Sequence, residues 1–293
     1  MTRMKRMARA ARAVPVLMYH HVSPSPGMIT VSPAHFEAQM AYLARAGYRT
    51  LGAAQLAAFL AGEPVPARSV VLTFDDGYLD NWVHAHPVLQ QYGFKALCFL
   101  VSSWPCEGAP RPNTSTASNH GALPRLLNHR DGEVAIETGR SDEAILRWSE
   151  IEAMRDAGTF EFHSHTHSHH RWDQISANRD EKRENLREDL LAARATLDAR
   201  LRGVSEHLCW PQGYYDDDYQ AIAFDAGFRH FYTCDKGTNV GGAHVVSDAG
   251  LVNHGARSIN RLEVRDRPAS WLASRLWVHS RPAISRAYLR IKR

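Results

Sequence analysis

Short apolar runs alternate with amphipathic stretches at least five times along this chain of 293 residues, without an internal repeat. The strand-like runs are 14–19 (VPVLMY), 70–74 (VVLTF), 96–101 (ALCFLV), 159–162, 207–210 and 231–233, with a further candidate near 258–264. Runs that are apolar on both faces suit strands buried in a parallel sheet. Between them, Ser32 and Pro33 form an N-cap and first-turn pair, Phe36, Met40 and Leu43 share one helical face, and Gly47 stands where a helix ends. Helices are also expected over about 80–91, from a Ser149–Glu152 capping box to Gly158, along the Leu186, Leu190, Leu197 and Leu201 stripe, over 217–226, and around Trp271, Leu272 and Leu276. The pattern predicts an α/β fold, a parallel sheet with covering helices, open or closed into a barrel. Residues 102–145 have no clear period and contain Pro105, Pro110, Pro112 and Pro124, so they are expected to form a long irregular surface insertion.

Composition narrows the class. A chain 44% hydrophobic and 23% charged is neither disordered nor collagenous, and no apolar run approaches the roughly 20 residues of a membrane-spanning helix. Cys98, Cys106, Cys209 and Cys234 lie far apart, which suggests neither a zinc ribbon nor a disulfide framework. No G-x-G-x-x-G or G-x-x-x-x-G-K-[ST] follows a strand, which disfavours dinucleotide and P-loop chemistry. The net charge of +4 is uneven: residues 1–12 hold five basic and no acidic side chains, and residues 257–293 hold ten basic and two acidic. Such ends suit solvated tails or an anionic membrane surface; nucleic acid is not expected, since no nucleic-acid motif accompanies them.

Two clusters point to chemistry. The first, Thr73-Phe74-Asp75-Asp76-Gly77-Tyr78, puts adjacent carboxylates at the end of the most strand-like run. Like charges resist joint ionisation unless a cation or proton compensates. A metal satisfies that need, and an Asp-Asp-Gly turn is the plainer alternative. The second, Phe160 to His170, holds five histidines in eight residues directly after a strand. Imidazoles four residues apart in a helical turn share a face; His163/His167 and His165/His169 both meet that spacing. One Asp and two His make a three-ligand site with an open position, the pattern of a catalytic metal.

Together these motifs resemble the polysaccharide deacetylases, the NodB-homology carbohydrate esterases. The resemblance runs from Val16-Leu17-Met18-Tyr19-His20-His21-Val22 to about residue 235. It implies a distorted, incomplete (β/α) barrel in a single domain over 14–265, with the insertion at about 102–145, a basic tail over 1–13 and a basic helical tail over 266–293. It also implies Asp75 as general base, with Asp76, His165 and His169 as ligands of one divalent metal ion, zinc by family habit. His163 then becomes an extra. The family's R-x-P-[FY]-G wall corresponds to Cys209-Trp210-Pro211-Gln212-Gly213, so Cys209 stands in place of the Arg that orients the catalytic Asp, and another residue must steady Asp75. A nucleophilic role for Cys209 is the minor alternative, because nothing nearby in sequence lowers its pKa. The general-acid His of the family's L-x-H motif corresponds loosely to His279, with His254 as its rival. His20, Tyr78, Trp210, Pro211, Gly213 and Tyr214 are the expected substrate-binding residues, and Tyr215 is a further ring that could stack on sugar; His20 and the aromatics also suit a core.

The expected activity is metal-assisted removal of N-acetyl groups from an amino sugar. The N-terminus MTRMKRMARAARAV is basic but lacks an apolar h-region of about 7–15 residues, so a cytoplasmic location is expected, with peripheral contact at the inner face of the membrane. The substrate would then be an N-acetylated cell-envelope glycan precursor, lipid-linked or soluble. The alternatives are an amidohydrolase or esterase of small substrates, a non-catalytic carbohydrate-binding relative, and a metal-buffering His-rich protein.

Overall fold

The computed structural model describes residues 10–117, 122–203, 205–242 and 257–291. In chain order the first elements are β1 (Val16–Tyr19), β2 (His21–Val22), β3 (Thr30–Val31), α1 (Pro33–Arg45), β4 (Arg49–Thr50), α2 (Ala53–Ala61), β5 (Ser69–Asp76), α3 (His86–Tyr92) and β6 (Ala96–Leu100). They are followed by α4 (His129–Glu137), α5 (Trp148–Asp156), β7 (Phe160–Ser164), α6 (Trp172–Ile175), α7 (Arg179–Leu201), β8 (His207–Cys209), α8 (Asp217–Asp225) and β9 (His230–Tyr232). The last are β10 (Arg257–Ile259), β11 (Leu262–Glu263), α9 (Ala269–His279) and α10 (Pro282–Ile291).

The main sheet runs β10-β9-β8-β7-β6-β5-β1-β11, with β4 also on β5, and its pairs are parallel. The two edge strands, β10 and β11, are separated by only Asn260 and Arg261 in the chain. A connection of two residues cannot cross an open sheet of this width, since a residue spans at most about 3.6 Å. The sheet is therefore curled until its edges meet at residues 260–261, a (β/α) barrel left unzipped along one seam. Strand C-terminal ends gather on one face of such a barrel, and that face is where loops build sites.

Alternation along β5 decides what each side chain meets. Leu72 and Phe74 face the outer layer, where they meet Phe36 and Met40 of α1 and Leu272 and Leu276 of α9. Val71 faces inward, into a second cluster with Leu97, Phe99, Tyr232 and Ile259 and with Leu56, Phe59 and Leu60 of α2. All eight residues of β5 are buried, which is why the run reads as continuously apolar until the aspartates interrupt it. Ser32 caps α1 by accepting the His35 N–H at 3.4 Å, with Pro33 in the first turn.

Several expectations need correction. The described residues of the 102–145 insertion are ordered: they include α4 and are anchored by Arg111, whose guanidinium grips the fully buried Glu150 carboxylate at 2.8 and 2.7 Å and donates to the Asp142 and Ile145 carbonyls. That anchoring is tertiary, so no local period announces it. Helix α5 is capped two residues earlier than expected: Glu150, not Glu152, receives the Arg147 N–H at 2.9 Å, while Ser149 donates to the Gly108 carbonyl. The C-terminal segment is no free tail, because α9 buries Leu272 and Leu276 in the outer cluster. Near the other end, Ala10 bridges Pro66, and the Ala11 N–H reaches the Val65 carbonyl at 2.8 Å. Among the described residues no helix is long and apolar enough to cross a membrane.

Candidate metal centre

By strand alternation Asp75 faces the barrel interior, and Asp76 should face the apolar outer layer. The backbone prevents this. Asp76 has φ 72°, in the left-handed region that costs a non-glycine residue of order 1–3 kcal/mol. Gly77 follows with φ 79°, where a side chain would be strained and its Cβ, 2.6 Å from Leu100 Cδ2, would displace that leucine. The turn brings both carboxylates to one cavity of about 580 Å³ at the C-terminal ends of the strands. Thr166 and His169, on the loop after β7, also have positive φ, at 68° and 62°. Non-glycine strain of this kind concentrates where a fold holds side chains for chemistry.

Asp76 Oδ1 lies 3.3 Å from His165 Nε2 and 3.5 Å from His169 Nε2. His165 leaves β7 with its N–H on the Leu100 carbonyl, and its Nδ1 lies 2.9 Å from the Cys209 carbonyl. A ring that donates from Nδ1 keeps its Nε2 lone pair for a ligand. Asp76 Oδ1 itself is buried without a hydrogen-bond partner, a costly state for a carboxylate unless a cation or proton completes it. Burial acts to raise the Asp76 pKa, but the flanking imidazoles prevail and hold it far below the ordinary carboxylate range. His169 is lowered as well, to about 4, chiefly through burial and the nearby His165, whereas at His165 burial is outweighed by Cys209 and Asp76, which raise its pKa. An anionic oxygen between two imidazole nitrogens is a donor set that zinc and similar divalent ions accept, the cation taking the place of the proton that His165 otherwise keeps. These residues fit a metal.

A neighbouring trio, Asp75, His165 and Cys209, also has donor atoms within 4.8 Å of one another. Its positive charge is already supplied. Arg261 Nη1 donates to Asp75 Oδ1 at 2.6 Å, Nη2 contacts Cys209 Sγ at 3.0 Å, and Nε donates to the Thr233 carbonyl at 2.9 Å. The Arg261 side chain has no solvent exposure. It enters from residues 260–261 at the seam, where the chain steps between sheet edges and the barrel interior is within reach. Burial pushes the Asp75 pKa up, yet Arg261, with His20 and His165, outweighs it and keeps the group below its usual range. Burial raises the Cys209 thiol, which argues against a thiolate nucleophile. Arg261 thus supplies the guanidinium that Cys209 displaces from the family motif.

His20, Tyr78, Trp210 and Gly213 line the cavity with the triad and Asp75, and His20 Nε2 is 3.6 Å from Asp75 Oδ2. Other expected residues lie elsewhere. His279 is buried in α9 with Nδ1 2.9 Å from Ser285 Oγ, outside the residues lining this cavity, because α9 packs on the outer layer. His254 lies outside the described residues. Pro211 is buried and does not line the cavity; Tyr214 is also away from it, under the Arg171 guanidinium at 3.9 Å. Trp210 is only 1% exposed and packs on Tyr219 and Phe231, so it borders the cavity as core rather than as an open stacking ring. Tyr215 donates to Asp235 at 2.8 Å. His163 turns to the far half of the strands, with Nδ1 2.7 Å from Ser205 Oγ and its ring 4.9 Å from His207. His167 Nδ1 sits 2.9 Å from Ser102 Oγ, and His170 lines the cavity.

The sequence reading missed Arg261 and the wall contributed by the insertion. Trp104 lies 5.3 Å from the His169 ring, His129 of α4 meets Tyr78 and His21, and Glu133 of the same helix lines the cavity. Arg261 was counted within the basic C-terminal segment. Its position inside the strand-like stretch near 258–264 is the available signal.

The sequence profile of the polysaccharide deacetylases matches residues 62–231, and the chain belongs to that family. It is similar to YxkH of Bacillus subtilis (strain 168), 42% identical over 89 residues, 30% of this chain and 32% of that protein. It is also similar to a poly-β-1,6-N-acetyl-D-glucosamine N-deacetylase of Staphylococcus aureus (strain MRSA252), 22% identical over 212 residues, 71% of this chain and 62% of that protein. The matches therefore span less than two thirds of these relatives. In fold, the chain is similar to IcaB from Ammonifex degensii, with a TM-score of 0.67 and 23% identity over 92% of this chain and 97% of the other. The Streptococcus pyogenes deacetylase PplD gives 0.65 and 20%, over 90% and 98%. The profile omits β1, β10 and β11, which close the barrel and supply His20 and Arg261.

Proposed function

We propose that this chain is a divalent-metal-dependent hydrolase that removes an N-acetyl group from an amino-sugar unit of a glycan. The observation that carries this reading is the orphaned Asp76 Oδ1 between His165 Nε2 and His169 Nε2, beside a second carboxylate held ionised by Arg261. Asp76, His165 and His169 would hold the metal, which when bound supplies Lewis-acid polarisation of the acetyl carbonyl and acidifies a water molecule. Asp75, deprotonated across the neutral range, takes the proton of the attacking water. Its carboxylate is kept in one orientation by the Arg261 bond, so the base is positioned before substrate arrives. His20 takes the general-acid role that sequence had given to His279 or His254. Burial lowers the His20 pKa against the pull of Asp75 and Asp76, so a proton reaching this ring passes readily to the departing amine. The relatives' printed substrate, poly-β-1,6-N-acetyl-D-glucosamine, supports a sugar amide over a small amide.

Acetate release tests this. The purified protein should deacetylate β-1,6-linked N-acetylglucosamine oligomers with a kcat/KM at least about tenfold above that for simple acetamides and acetate esters, the advantage a well-made polar subsite gives. Equal or better turnover of the small esters, with the oligomers left intact, would overturn the sugar assignment.

A further inference from the structure

We propose that the substrate groove continues into a second, cationic cavity that takes an anionic group of the substrate, a phosphate ester carried near the N-acetylated sugar. This rests on the deacetylase reading of the first cavity. The second cavity, about 910 Å³, lies between β11 and the helices α9 and α10, and Cys234 lines both cavities. Lys236, Arg265, Arg267 and Arg275 line it against only two carboxylates, Asp235 and Glu263. Asp235 accepts the Tyr215 hydroxyl at 2.8 Å, and Glu263 lies 3.5 Å from Arg265 Nε. Among the described residues, Lys236, Arg267 and Arg275 have no carboxylate within 4.0 Å. The excess of two positive charges suits a phosphate dianion or a diphosphate better than a single carboxylate.

Arg275 makes this more than a basic surface. Its guanidinium carbon lies 5.6 Å from the Trp271 ring centre and 5.0 Å from that of Tyr288, and Nη1 donates to the Tyr288 hydroxyl. Nε is buried with no hydrogen-bond partner. A guanidinium held by aromatic faces with a donor still unsatisfied is a fork preorganised for an oxyanion. His279, which sequence had assigned to proton transfer, lines this cavity instead.

Calorimetry with inorganic pyrophosphate tests the assignment, using the full chain loaded with its metal. The parent should bind pyrophosphate, and Arg275→Gln should weaken that binding at least tenfold. The exposed pair Lys236→Gln/Arg267→Gln, which leaves the half-buried Arg275 fork intact, should weaken it severalfold. Both variants should keep the parent kcat/KM on uncharged N-acetylglucosamine oligomers. Undiminished pyrophosphate binding by both variants, with normal oligomer turnover, overturns the second cavity and leaves the deacetylase reading standing. No acetate from any sugar overturns that reading and, with it, the assignment of the anion to substrate. Binding to phosphatidylglycerol vesicles without affinity for pyrophosphate overturns the proposal in favour of a lipid surface.

Discussion

An Asp75→Asn protein should release acetate about 10³-fold more slowly than its parent, within the range that loss of a positioned general base produces. The amide is nearly isosteric but cannot accept the water proton, while Asp76, His165 and His169 are untouched, so the bound metal should stay. The substitution has a second effect. Arg261 is wholly buried and pairs with Asp75 at 2.6 Å, so the asparagine leaves its charge without a counter-ion. A lower melting temperature is therefore expected beside the loss of kcat, and the folded fraction by circular dichroism must accompany the rates. A folded, metal-bearing Asp75→Asn protein with most of its kcat intact would show that Asp75 is not the base.

Arg261→Met should be the most damaging single change away from the metal ligands. Breaking a buried ion pair by removing one partner costs about 3–5 kcal/mol, because the remaining charge stays desolvated. The sign of the pH effect follows from the forces on Asp75. Burial raises its pKa, and Arg261 is the foremost group holding it down. Without the guanidinium the carboxyl pKa rises, so the acidic limb of the kcat/KM profile should move to higher pH. Arg261→Lys keeps a charge but cannot reach Asp75, Cys209 and the Thr233 carbonyl together as the fork does, so an intermediate shift is expected. The informative double variant is Cys209→Arg with Arg261→Met. Cys209 Sγ is already 3.7 Å from Asp75 Oδ2, and the methionine vacates room for the transplanted guanidinium. Return of the acidic limb toward the parent position would identify positioning of Asp75 as the work Arg261 does. An Arg261→Met profile matching the parent's would refute that role.

Much of this was legible in the sequence, for local reasons. The β5 run is apolar because both its faces are buried, and the aspartates end it because the cavity begins there. Histidines four residues apart share a turn, so the ligand pair was narrowed to two registers. The family resemblance favoured His165/His169, and the structure places that pair beside Asp76 while turning His163 away. What stayed hidden depends on distant parts of the chain. Arg261 belongs in charge count to the basic end, and only the closure of β10 against β11 turns it inward. The insertion is tied down by Arg111 on Glu150, a contact between residues 39 apart, so it looked irregular in sequence. His279 matched a loose motif but sits on a helix that packs outside the barrel.

Metal content measured alongside acetate release tests the central claim most directly. The parent should hold one divalent ion per chain, lose acetate release when a chelator strips it, and regain activity when one equivalent is returned. Asp76→Asn should show neither the ion nor the activity. Full acetate release from stripped protein, or an undiminished metal count in Asp76→Asn, would contradict the account.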